Sequence, residues 1–201
     1  MTNRLVISLV FPLFVLGMLG CASKPQPETQ PQPQAEQRPQ ATAPKTLDHE
    51  NIKRQAQELC DATIKGDFNR VADLTYPKLI EIFGGREALI SQAKAAVSEM
   101  ESQQYRIVSI EVGEPHDIVE VKNEIFAIVP STMRIKAPGG VLVGEAFMIA
   151  VSKDGGQQWT FVDSSAAKDD DAGFKTLFPD AANQLRIPEQ NQPVFHKGLE
   201  K

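Results

Sequence analysis

The residues best suited to acid–base chemistry in this sequence are Tyr76, Glu145 and Asp163. An acid and a base act together only when they converge in one enclosed pocket. Glu145 interrupts a run in which every second residue is apolar. Its carboxylate therefore enters a cavity if that side of the strand is concave, and points to solvent if it is not.

The two carboxylates are predicted not to form a catalytic pair. Glu145 shares a strand face with Phe147, and Asp163 shares one with Trp159, so each acid lies on a face that is otherwise apolar. A carboxylate buried alone costs several kcal/mol unless it is protonated or paired. We therefore expect one acid near a strand end in water, the other satisfied by backbone amides or by a cation such as Arg86 or Arg134, and no catalytic residue. The predicted ligand contacts are Tyr76, Glu145, Phe147, Trp159 and Asp163, with the three aromatic residues facing a common cavity.

The remaining polar residues do not form a known metal or nucleophile motif. The three histidines, at 49, 116 and 196, lack the HxH and HExxH spacings of metal sites. The serines at 164–165 lack the G-x-S-x-G elbow. The acidic run at 169–171 lacks the ligand alternation, turn glycine and closing glutamate of a calcium loop. We therefore predict no metal and no cofactor.

Composition excludes two classes of protein. The chain has 201 residues with 21 Lys plus Arg against 26 Asp plus Glu, a formal net charge of −5, and no dense basic cluster. This argues against nucleic-acid binding. A multi-pass membrane protein is excluded because no long apolar run follows residue 20. Cys60, in an apolar helical pattern, is expected to be a core residue rather than a reactive thiol.

The N-terminus has the pattern of an export signal. Arg4 precedes an apolar run, Leu5–Leu19, which as a helix reaches only about 22 Å and is interrupted by Pro12. The following Met18-Leu19-Gly20-Cys21 resembles the lipobox of bacterial lipoproteins. The resemblance implies removal of residues 1–20 and lipidation of Cys21. An ordinary secretory signal with an incidental cysteine is the alternative.

A lipidated cysteine implies attachment to a membrane of the bacterial envelope. Two or more acyl chains anchor a protein stably. Ala22, in place of the Asp that is typical of inner-membrane retention, favours the outer membrane. The segment at 21–45 alternates Pro and Gln and is expected to be an extended tether, with a PxxP docking site as the alternative.

Helical periodicity predicts three helices after the tether. The first is capped by Asp48 and closed by Gly66. The second starts at Asp67 and ends before Pro77. The third spans 86–103 after a glycine pair, for which a phosphate cradle is the alternative interpretation.

Alternating residues then predict an antiparallel sheet of four to five strands. These cover 105–112, 118–129, 132–137, 141–152 and 157–163. Helices followed by a meander of strands indicate an α+β fold. The extension at 164–201 adds apolar residues between prolines, and we expect it to dock on the domain, over either the pocket mouth or an open sheet edge.

Four segments follow one another in the order typical of one superfamily. They are Lys65-Gly66-Asp67-Phe68, Leu74-Thr75-Tyr76-Pro77, Gly85-Arg86-Glu87-Ala88-Leu89 and Trp159-Thr160-Phe161-Val162-Asp163. Through them residues 51–163 resemble the nuclear transport factor two-like superfamily, also called SnoaL-like. The resemblance implies a cone-shaped domain over 46–163, in which three N-terminal helices pack on a curved antiparallel sheet. Enzymes of this superfamily, such as ketosteroid isomerases and dehydratases, place ionisable groups inside the cone.

These observations predict an envelope lipoprotein whose domain is a non-catalytic binding module. Its expected partners are the membrane, through lipid on Cys21, and a small apolar ligand or another envelope protein. The alternative function is a small-molecule isomerase or dehydratase with an acidic pocket.

Overall fold

A computed structural model describes residues 47–164, 175–189 and 191–198. The predicted signal segment, Cys21 and the Pro/Gln-rich segment lie outside these residues. None of the helices in the described part of the chain is both long and apolar enough to cross a membrane.

The first two helices begin and end where their capping residues predict. Helix α1 covers His49–Lys65, with the Asp48 carboxylate accepting from Asn51 N–H at 3.1 Å and Gly66 in the left-handed conformation at φ 71°. Helix α2 covers Phe68–Leu74 and is capped in the same way by Asp67. An N-terminal carboxylate and a C-terminal glycine thus define a sharp corner between the helices.

The number of helices differs from the predicted three. An additional helix, α3, covers Pro77–Ile82, and α4 covers Arg86–Ser102. Pro77 ends α2 and also occupies the first turn of α3, where its preset φ is favourable and its missing N–H costs nothing. Gly85, at φ 105°, turns the chain into α4.

The sheet is antiparallel, curved and unclosed, with six strands. A long hairpin forms its centre, β3 (Glu124–Ala137) with β4 (Gly140–Ser152). Strands β1 (Arg106–Val112) and β2 (His116–Val121) both pair with β3. Strands β5 (Thr160–Asp163) and β6 (Val194–Lys197) both pair with β4. The α+β class is confirmed.

The strand boundaries around β3 differ from those predicted. Residues 118–129 are divided by a tight turn at Lys122-Asn123, where both residues have positive φ. The predicted strand at 132–137 is the continuation of β3 through Pro130. The Pro130 carbonyl accepts from Gly113 N–H in the gap between β1 and β2. The Pro130 nitrogen, which carries no hydrogen, faces the same gap.

Two apolar cores lie on opposite sides of the sheet. On the helix side, α1 packs against strand residues such as Ala127, Ala150 and Phe161. On the other side, which we call the tail side, Phe126 and Phe147 pack with the C-terminal extension. The extension contributes Leu177, Phe178, Ala181 and Leu185.

Candidate functional site

An apolar cavity of about 290 Å³ lies between the helices and the helix side of the sheet. Its size is at the lower end of that of small-molecule sites. Helices α1 to α4 and strands β1, β3, β4 and β5 all contribute to its wall. The lining consists of Leu59, Cys60, Thr63, Val71, Thr75, Leu79, Phe83, Leu89, Ile110, Ser131, Met133, Met148, Phe161 and Asp163.

Helix α4 packs loosely beside the cavity. No residue of α4 is fully buried, although several of its apolar residues, among them Leu89 and Val97, are half-buried. Arg86 holds the start of α4 to α2, since its guanidinium contacts Asp73 Oδ1 at 2.7 Å and donates to Asn69 O at 2.9 Å. Leu89 is the residue by which α4 contributes to the cavity wall.

Asp163 is the predicted site residue that lines this cavity. It lies opposite Met148 in the β4–β5 pairing, and directly opposed residues point to the same side of a sheet. Its side chain is exposed, so the carboxylate lies at the cavity mouth in contact with water. This position agrees with the expectation of one acid at a strand end.

Cys60 contributes a protonated thiol to the cavity wall. Burial, and then the negative charges of Asp61 and Asp163, raise the pKa of this thiol to about 12. The thiolate, not the thiol, is the nucleophile, so Cys60 acts here as a small apolar side chain.

The structure does not bring Tyr76, Phe147 and Trp159 into one cavity, contrary to the prediction. Tyr76 and Phe147 are both buried in the tail-side core. Trp159 is buried on the helix side, where its indole N–H donates to Gly156 O. Alternation correctly placed Glu145 with Phe147 and Trp159 with Asp163, but it does not show that the C-terminal extension covers one side of the sheet.

Glu145 lies on the opposite side of the sheet from Asp163. It is three residues from Met148, the partner of Asp163, and the β3–β4 register runs without a bulge. Its exposed carboxylate accepts from Asn191 Nδ2 at 3.3 Å. The two carboxylates therefore do not meet. Of the two orientations considered for Glu145, into a cavity or toward solvent, the structure has the second.

The cations expected near these acids pair elsewhere. Arg86 contacts Asp73, as described above, and Arg134 Nε lies 3.9 Å from Glu111 on the neighbouring strand. The glycine pair before Arg86 forms a corner, since Gly84 and Gly85 both have positive φ.

A larger and more polar depression, about 620 Å³, lies between α1 and the β4–β5 turn. The charged side chains that line it have partners within the fold. Arg70 contacts Glu58 at 2.9 Å, and the Asp154 carboxylate accepts from two backbone N–H groups of its own turn. Gln55 joins the same turn to α1 by accepting from Trp159 N–H. These contacts give the polar residues of the depression a role in the fold that requires no ligand.

Sequence reasoning missed most of the cavity lining. Leu79 belongs to the unpredicted helix α3 and Phe83 directly follows it, and Met133 belongs to the part of β3 predicted as a separate strand. The available signal was the apolar stripe of α4, to which Leu89 belongs. In the part of the chain that is described, no group of His, Cys, Asp and Glu side chains is suitable for a metal ion.

The chain matches no protein-family model, and no curated protein is significantly similar to it.

Proposed function

We propose that the domain binds a small apolar molecule in the cavity beneath α4. The observation that carries this proposal is the apolar lining around about 290 Å³ of space, with one carboxylate at its mouth. Small-molecule sites are typically concave and apolar with a few polar groups that fix orientation. Thr63, Thr75 and Ser131 are the hydroxyl-bearing residues of this lining.

Binding is favoured over isomerase or dehydratase chemistry by the ionisable groups around the cavity. Among the described lining residues, Asp163 is the one carboxylate, and its charge helps to keep the Cys60 thiol protonated. Tyr76, the predicted phenol donor, lies in the tail-side core, where burial raises its pKa. The described lining therefore offers one carboxylate and a protonated thiol, which is not the pair of ionisable groups that acid–base catalysis needs.

We propose further that this domain is the cone of the nuclear transport factor two-like superfamily and belongs to an envelope lipoprotein. The order of helices before a curved antiparallel sheet supports the first statement. The Met18-Leu19-Gly20-Cys21 motif supports lipidation, and Ala22 supports the outer membrane. A lipid anchor would keep the cavity close to a source of apolar molecules.

A neutral fluorescent probe tests cavity binding. N-phenyl-1-naphthylamine, added to the full chain, is expected to gain fluorescence on entering the cavity. Leu89→Trp places a larger side chain in the cavity wall and is expected to abolish that gain. Ile82→Trp is the matched control, because Ile82 is 59% exposed and does not line the cavity. Equal fluorescence in the two variants would contradict the proposal.

A further inference from the structure

Ser131 places a hydroxyl group in the wall of the apolar cavity. It lies on β3, where Val112 of β1 and Ala146 of β4 are its direct partners. Val112 packs against the helix-side core, and directly opposed residues point to the same side of a sheet. The Ser131 side chain therefore points to the helix side, where it lines the cavity.

The Ser131 hydroxyl has no hydrogen-bond partner in the part of the chain that the structure describes. The residue is 8% exposed, and its two strand partners, a valine and an alanine, have no polar side-chain atom. Buried hydroxyl groups in proteins are normally hydrogen-bonded, and an unpaired one costs free energy. A polar group of a molecule inside the cavity would satisfy this hydroxyl.

The other two hydroxyls of the described lining already use their hydrogens. Thr63 Oγ1 donates to Leu59 O at 2.9 Å, and Thr75 Oγ1 donates to Val71 O at 2.8 Å. Each of these bonds occupies the single hydrogen of its hydroxyl group. Among these three hydroxyls, the one on Ser131 therefore keeps its hydrogen for a ligand.

The charges of the lining decide which kind of acceptor fits. The described lining residues include no Lys, Arg or His, and Asp163 adds a negative charge at the mouth. An anionic group inside this cavity would lose its hydration without gaining a counter-charge. An uncharged oxygen needs a hydrogen bond and no counter-charge, and Ser131 can donate that bond.

We propose that the cavity takes an apolar molecule with one uncharged oxygen, which accepts a hydrogen bond from Ser131 Oγ. Ketones, ethers and alcohols belong to this class. The inference rests on the proposed function and adds the ligand class and the residue that orients the ligand. Ser131 determines specificity, because apolar contacts bind the body of a ligand whereas the hydroxyl distinguishes an oxygen from a methylene group.

Two ligands of nearly the same shape test the proposal by displacement of N-phenyl-1-naphthylamine from the full chain. Butyrophenone has a carbonyl group where butylbenzene has a methylene group. We expect Ser131→Ala to weaken butyrophenone binding about three- to tenfold, the value of one neutral hydrogen bond, and to leave butylbenzene binding within about twofold. An equal effect on the two ligands would overturn the inference alone. Failure of both ligands to displace the probe from the natural chain would overturn the proposed function as well.

Two further variants separate the Ser131 hydroxyl from its surroundings. Thr63→Val is the matched control, because it removes a hydroxyl of the same lining whose hydrogen is already used. It should leave the affinity ratio of the two ligands unchanged, and Ser131→Thr, which retains a hydroxyl on β3, should also retain that ratio. A ratio that changes as much in Thr63→Val as in Ser131→Ala would contradict the assignment.

The carbonyl infrared band of isotope-labelled butyrophenone tests the hydrogen bond in the natural chain itself. Accepting a hydrogen bond lowers the stretching frequency of a carbonyl group. We therefore expect the bound ligand to absorb below its frequency in hexane, and to return towards that frequency in Ser131→Ala. A bound band at the hexane frequency in the natural chain would overturn the inference, whatever the variant does to folding.

Discussion

The rings of Tyr76 and Phe178 pack against each other with their centroids 5.0 Å apart. This contact joins the residue before α3 to the C-terminal extension. Phe178 also packs edge-on against Phe126 of β3 at 5.3 Å. The extension is therefore part of the tail-side core, and its removal would expose the aromatic side chains of that core.

Phe178→Ala tests the role of the extension. Phe178 is 3% exposed, so its truncation leaves a cavity among buried rings and is expected to lower the free energy of unfolding by about 3 to 5 kcal/mol. Phe195→Ala is the control, because Phe195 is 48% exposed on β6 and should change stability far less. Urea denaturation measures both. A destabilisation by Phe178→Ala no larger than that by Phe195→Ala would show that Phe178 does not stabilise the tail-side core as described.

Asp154 makes stability depend on pH in a defined direction. Hydrogen bonds to its carboxylate, the largest effect coming from Gln158 N–H, lower its pKa below the ordinary 3.8. The carboxyl is therefore protonated at higher pH in the unfolded chain than in the folded one. Its contribution is fully present above pH 3.8 and is lost as the pH falls below that value towards the folded pKa.

We expect Asp154→Asn to be less stable than the natural chain at pH 6, with a difference that narrows as the pH approaches 3. Thermal unfolding at a series of pH values measures the difference. Glu120→Gln, which removes an exposed carboxylate from β2, is the control and should give no such narrowing. A difference that is constant with pH would refute the role of the charged Asp154.

Cys60 is expected to resist alkylation in the folded protein. With its pKa raised to about 12 and its side chain buried, the thiolate is scarce at pH 8. Iodoacetamide labelling, read peptide by peptide with mass spectrometry, should be at least about a hundredfold slower than in denaturant. Comparable rates would show that the cavity wall at Cys60 is open to solvent and reagent.

Local sequence signals predicted the first helices well because their causes are local. Asp48 and Gly66 define α1 through one side-chain acceptor and one left-handed residue. Pro77 was interpreted only as an end, although the same ring geometry also begins α3. Lys122 and Asn123 form a tight turn without glycine, so the turn was not detected.

The cavity could not be predicted from the sequence, because it depends on which side of the sheet each segment covers. Alternation correctly separated Glu145 from the residues of the opposite face. It gave no information on the C-terminal extension, whose strand β6 is exposed along its length and has no alternating pattern. Phe147 was therefore predicted to share a cavity with Tyr76 and Trp159, whereas it packs with the extension and lines a separate depression together with Glu145.

The lipoprotein proposal predicts that Cys21→Ser abolishes lipid attachment. The thiol is the expected acylation point, and the following segment contains no apolar run that would anchor the chain by itself. Metabolic labelling with a radioactive fatty acid, followed by fractionation, measures the change. Cys60→Ser is the control and should leave labelling intact. Unchanged labelling of Cys21→Ser would disprove the anchor.

The central claim is that apolar molecules occupy the space beneath α4. The most direct measurement is anomalous diffraction from crystals of the protein soaked with 1-bromodecane. We predict a bromine peak in the apolar cavity lined by Leu89, Met133 and Thr63, and the loss of that peak in Leu89→Trp. Bromine peaks confined to other surfaces, with this cavity closed by its own side chains, would contradict the claim.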